Sequence, residues 1–147
     1  MGLPGTIDPS VYKGLKDILK RHPVITDVGF QPDSISKRYI QATVAPDRLD
    51  PPTGPEPPTI EVEWRFRKNS AYYRIHYADP NTGFNCGWHR DEDHPDLGSV
   101  HFQYENPQLS EVDHIRTDFK KAVPTEILWI ALQRLFETKI PNLTSND

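Results

Sequence analysis

The chain has 147 residues, 35% of them hydrophobic and 26% charged, with 15 Pro, 6 His, one Cys and a formal net charge of -4. That length suits one domain spanning 1–147 with a real core, and a lone Cys excludes an internal disulfide framework and a multi-cysteine zinc site. The mildly acidic total argues against a chain that is basic all over, while leaving room for a local basic face. No apolar run approaches the ~18 residues that a membrane-spanning helix needs. The N-terminal stretch has neither the charged region nor the apolar region of a signal peptide, so no membrane association is expected and the cytoplasm is the expected compartment.

The first element is a helix. Asp8 suits the cap, Pro9 the first helical position, and Val11, Leu15, Ile18 and Leu19 recur at helical spacing before Pro23 stops the run. Val24 to Phe30 reads as a short strand, and Arg38 to Val44 as a second one. From about 45 to 59 comes a Pro-rich loop with six prolines, expected as an extended or mobile excursion inserted in a hairpin. The clearest signal follows. Ile60, Val62, Trp64 and Phe66 alternate with Glu61, Glu63, Arg65 and Arg67, the period of a half-buried strand. Tyr73, Ile75 and Tyr77 alternate in the same way with Tyr72, Arg74 and His76, giving an antiparallel hairpin. After the turn Asp79 to Gly83, Phe84 to Trp88 is a further strand, and a polar loop runs from His89 to Gly98. Val100, Phe102 and Tyr104 mark what reads as the last strand, and Pro124 to Thr138 a closing helix. Helix, strands, helix is an α+β order. It predicts a mostly antiparallel sheet of about five to six strands, with the N-terminal and C-terminal helices packed on one face.

Function is then expected on the other face. The strand residues opposite the apolar set include Arg65, Arg67, Tyr72, Arg74, His76, His101 and Gln103. Arg grips phosphate with a planar fork, and His or Tyr can stack on bases, so this composition suits RNA. It also supplies parts for metal-independent RNA cleavage, with His76 as base, His101 as acid and Arg74 stabilising the phosphorane. The competing structural reading is a solvated face on which Glu61 and Glu63 pair with the Arg side chains. A non-enzymatic module that binds nucleic acid or protein through the same face is the alternative function. In the polar loop, His89, Asp91, Asp93, His94 and His101 are of metal-ligating type, which would suit a metal-dependent hydrolase, but their spacing matches no defined metal signature. No cofactor or metal is therefore expected. Cys86 reads as a buried structural residue rather than a nucleophile. Trp129 on the last helix could mark a partner surface.

The run from Ile60 to Gln103 resembles the TumE-type toxin family of prokaryotic toxin–antitoxin modules. The matching pieces are Tyr73-Arg74-Ile75-His76-Tyr77, the Asp79 to Gly83 turn, Trp88, Asp93-His94-Pro95-Asp96-Leu97 and Val100-His101-Phe102. The opening helix, the strand at Pro23 to Val28 and the closing helix after a Pro agree with it. The chain departs from the family pattern at Asp91-Glu92-Asp93-His94, and in having one His at Val100-His101 where the family has a pair. The resemblance implies a small cytoplasmic toxin acting on RNA or translation. It implies restraint by a cognate antitoxin, a protein of helix-turn-helix type. His94 is assigned as a further polar contact to RNA, and a homodimer is left open.

Overall fold

The computed structural model describes residues 3, 5–68, 70–90, 100–109, 111–117, 119 and 123–144. Helix α1 spans Pro9–Arg21, and the Asp8 carboxylate accepts the Ser10 N–H, as the capping pattern predicts. Among the described residues seven strands follow: β1 (Ile25–Gln31), β2 (Tyr39–Val44), β3 (Thr59–Arg67), β4 (Ser70–Ala78), β5 (Asn85–Arg90), β6 (Val100–Asn106) and β7 (Glu111–Arg116). They form one sheet in sequence order, and every neighbouring pair is antiparallel. The α+β architecture is the predicted one, with a strand more than expected. β7 escapes a pattern search because its apolar residues, Val112 and Ile115, are three apart and so fall on opposite faces. Both are exposed, as an edge strand permits.

The apolar alternation builds the core as expected. Ile40, Ala42, Val44, Ile60, Val62, Trp64, Ile75, Tyr77, Cys86, Trp88 and Phe102 all lie buried on one face of the sheet. Trp64 and Tyr73, opposite each other in register, stack at 4.4 Å. The helices cover this face side by side. Tyr12, Leu15 and Leu19 of α1 are fully buried over β1 and β2, and Tyr12 stacks against Phe30 at 6.4 Å. Each buried leucine contributes about 1.5–3 kcal/mol of burial free energy. The Tyr12 hydroxyl also closes a gap in the sheet. The β2–β3 pairing ends at Ile40 with Val62, so the next carbonyl and N–H do not meet. The hydroxyl donates to the Arg38 carbonyl at 2.9 Å and accepts the Trp64 N–H at 3.1 Å, satisfying both.

Helix α2 (Pro124–Arg134) starts where predicted, but the helical path does not stop at Thr138. It continues through a π turn (Leu135–Lys139) into a short helix α3 (Ile140–Thr144). Pro141 gives the reason. Proline lacks an N–H, and its ring conflicts with the carbonyl four residues back, so the helix widens and Ile140 N–H reaches the Leu135 carbonyl instead. This segment carries Phe136 against Tyr77 at 6.3 Å and sets the Lys139 ammonium 4.5 Å from the Phe102 ring centroid. The two helix systems meet at His22, whose ring lies 4.8 Å from Phe136 and 6.1 Å from Trp129. No helix among the described residues is long and apolar enough to cross a membrane.

The Pro-rich segment does join β2 to β3 as an insertion in a hairpin, but it is tethered rather than loose. Pro46–Arg48 form a 3-10 turn, and Leu49 is buried in the core. The Asn81 side chain accepts the Glu56 N–H at 2.9 Å and donates to the Glu56 carbonyl at 2.7 Å. Arg48 donates to the Pro23 carbonyl at 2.8 Å.

Candidate functional site

The sheet face turned away from the helices carries two adjacent rows of cross-strand partners. One row runs Glu63, Arg74, His89, His101, Arg116, and the next runs Gln41, Glu61, His76, Gly87, Gln103, His114. Antiparallel pairing thus brings Arg74, His76, His89 and His101 together on three neighbouring strands. His89 belongs to β5 rather than to the polar loop in which the sequence places it, and its ring lies 5.2 Å from that of His101. The signal for this is the two-residue interval from Gly87 to His89, which keeps a strand's alternation going past Trp88.

The environments of these residues differ from an open basic face. His101, expected as an acid or base, has no solvent exposure at all. It sits on an interior strand beside His89, so a substrate resting on this face does not reach its ring. Tyr72, expected to stack on bases, is 8% exposed, with the Arg90 guanidinium 6.0 Å from its ring centroid. Arg90 itself reaches back to the Ala71 carbonyl. Arg65 is engaged by Glu63, with its Nη2 2.9 Å from the carboxylate, and Arg74 by Glu61 at 3.3 Å. The carboxylates of β3 therefore take up much of the positive charge that the sequence suggests for phosphate. Arg67 is exposed at the hairpin end of β3, and Gln103 is half-buried opposite Gly87. His94 lies outside the described residues, as do Asp91 and Asp93. Among the described residues no group of three or more His, Cys, Asp or Glu is placed to hold a metal ion.

His76 is the most distinctive of the group. Its ring is half-buried, and its Nδ1 has no hydrogen-bond partner among the described residues. Burial, helped by the Arg74 guanidinium, holds its pKa down to about 4. Glu61 faces it across the β3–β4 ladder, yet the Glu61 carboxylate is turned to Arg74. The ring is therefore neutral at pH 7. On its other side stands Gly87, where a Cβ would lie 2.3 Å from the Ile75 carbonyl oxygen. Only glycine fits there, and it leaves the space beside His76 without a side chain. Cys86 faces the core, and burial pushes its thiol up, far from the reactive thiolate form. Comparison with protein-family models, with curated proteins and with solved structures returns no match for this chain.

Proposed function

We propose that the chain acts on RNA as a toxin of a toxin–antitoxin module, an endoribonuclease working at the sheet face opposite α1 and α2. The observation that carries this reading is the neutral, half-buried His76 beside Arg74 and next to the side-chain-free position Gly87. A neutral imidazole can take the proton of a ribose 2′-hydroxyl. The 2′-oxygen then bonds to the adjacent phosphorus, Arg74 stabilises the phosphorane, and the P–O5′ bond breaks with water protonating the leaving oxygen. The products are a 2′,3′-cyclic phosphate and a 5′-hydroxyl end. His101, being buried, acts in this scheme as a positioning residue through His89. Such a toxin works on cellular RNA in the cytoplasm and is held in check by a cognate antitoxin protein.

A second reading is binding of nucleic acid or of a protein partner without cleavage. It is favoured by the burial of His101 and by the pairing of Arg65 and Arg74 with glutamates. One experiment separates the two. Purified protein is incubated with end-labelled RNA in chelator, and the termini are analysed. Cleavage to 2′,3′-cyclic phosphate ends, reduced at least about 100-fold in His76→Gln, supports the first reading. RNA retained intact supports the second, and full activity in His76→Gln refutes the catalytic assignment.

A further inference from the structure

A different cationic locus lies on the other side of the sheet, where α1 overhangs the edge strand β1. Lys13, Lys16 and Lys20 follow one another at intervals of three and four, so they form a single stripe along α1. Lys37 faces them from the turn between β1 and β2. With Phe30 at its floor, the groove they enclose is about 560 Å³. The Lys16 ammonium lies 4.9 Å, and the Lys37 ammonium 5.1 Å, from the centroid of that one ring.

This arrangement needs an explanation. Like charges three or four residues apart on a helix oppose one another. Asp17 is the groove's one carboxylate, and among the described residues none of the four lysines has a carboxylate within ion-pair distance. Phe30 accounts for how the charges are held. An aromatic face attracts an ammonium without cancelling its charge, so Lys16 and Lys37 are fixed in place and remain cationic. The backbone contributes too. Lys37 has φ +47, a left-handed conformation uncommon for a residue with a side chain. The turn that imposes it is fastened by Asp33, whose carboxylate accepts the Ile35 and Ser36 N–H groups and whose carbonyl accepts that of Lys37. A strained turn that brings a fourth ammonium to three others points to an anion between them.

The length of the stripe indicates which anion. Seven residues from Lys13 to Lys20 rise about 10 Å along the helix, longer than one phosphate group and suited to successive phosphates of an extended backbone. A single phosphate cannot engage both ends. The groove is concave, unlike a bilayer surface, and its lining is mostly polar and charged rather than a broad apolar face. We propose that the α1–β1 groove is a binding site for the phosphate backbone of single-stranded nucleic acid, held by Lys13, Lys16, Lys20 and Lys37. It lies across the sheet from His76, so it is separate from the site described above. Only the choice of RNA as the probe rests on the function proposed there.

The test is fluorescence anisotropy with a labelled uridine oligomer of about ten nucleotides, titrated with the intact protein across a range of salt. Four phosphate contacts give a slope of log K against log salt near −2.8, or about a 50-fold loss between ~50 and ~200 mM. In Lys16→Ala/Lys37→Asn the slope falls to about −1.4, and affinity at ~50 mM drops on the order of 50-fold. Asparagine tolerates the positive φ at 37, and an unchanged thermal melt confirms that this variant is folded. Wild-type affinity in the double-lysine variant overturns the groove while leaving the sheet-face reading intact. Lysine-dependent binding of RNA that is never cut overturns the sheet-face reading and leaves the groove standing. A wild-type protein that ignores the oligomer, including one that binds phosphatidylserine vesicles instead, overturns the groove as a nucleic-acid site.

Discussion

Desolvation of His76 links folding to pH in a way that one substitution isolates. The ordinary imidazole value is 6.5, and in the folded chain His76 is held to about 4, first by burial and then by the Arg74 charge. Between those values the unfolded chain binds the proton and the folded chain does not, so stability falls as pH drops through this window. Full protonation of the unfolded state costs the fold about 3 kcal/mol by linkage, and about 2 kcal/mol is already lost on going from about pH 7.5 to pH 5. His22 is also held below its ordinary value by burial and slopes in the same direction, so total pH dependence does not identify the residue. The difference between wild type and His76→Gln does, because glutamine removes the titration at one site. Urea unfolding at a series of pH values, followed by tryptophan fluorescence, measures it. The wild type should lose about 2 kcal/mol more than the variant over that range. Parallel curves, agreeing within about 0.5 kcal/mol, would show that burial does not depress the His76 imidazole.

Two further substitutions probe the frame that holds the site. Gly87→Ala places a Cβ 2.3 Å from the Ile75 carbonyl oxygen, a backbone atom that cannot turn aside, and should cost about 3 kcal/mol or more in chemical denaturation. A loss below about 0.5 kcal/mol would mean that β4 and β5 are further apart than described. Tyr12→Phe keeps the ring but strips the Arg38 carbonyl and the Trp64 N–H of their shared partner. It should cost about 2 kcal/mol and speed hydrogen exchange at the Trp64 amide; unchanged exchange there would refute the bridging role.

Local chemistry made much of this fold legible in the sequence. Asp8 and Pro9 mark the start of α1, and the alternation through Ile60–Phe66 and Tyr73–Tyr77 fixes which residues face the core, because both are short-range rules. What stayed hidden depends on partners distant in the chain. β7 exists because β6 offers it a ladder, not because Glu111–Arg116 has a strand's pattern. The π turn requires Pro141 to be read against a helix whose packing is set by Tyr77 and Phe102. At the site, sequence alternation correctly assigned Arg74, His76 and His101 to one face, but it carries no information on depth. The burial of His101, the glutamate pairing of Arg65 and Arg74, and the approach of His89 all follow from cross-strand register. The lysines of α1 do not stand out in the sequence, because the outer face of a surface helix is ordinarily charged. Lys37 and Phe30 join them only once β1 and β2 have paired.

The strict sequence order of the strands also bears on how the chain comes to fold. Each strand pairs with the one just made, so the sheet can zip from its N-terminal edge during synthesis, with little loop-closure entropy at each step. The helices break this locality. His22, at the end of α1, is clasped by Trp129 and Phe136, more than a hundred residues later. The contact of α1 with α2 and the π turn is therefore a long-range closure, and forming that clasp joins the two ends of an otherwise local meander.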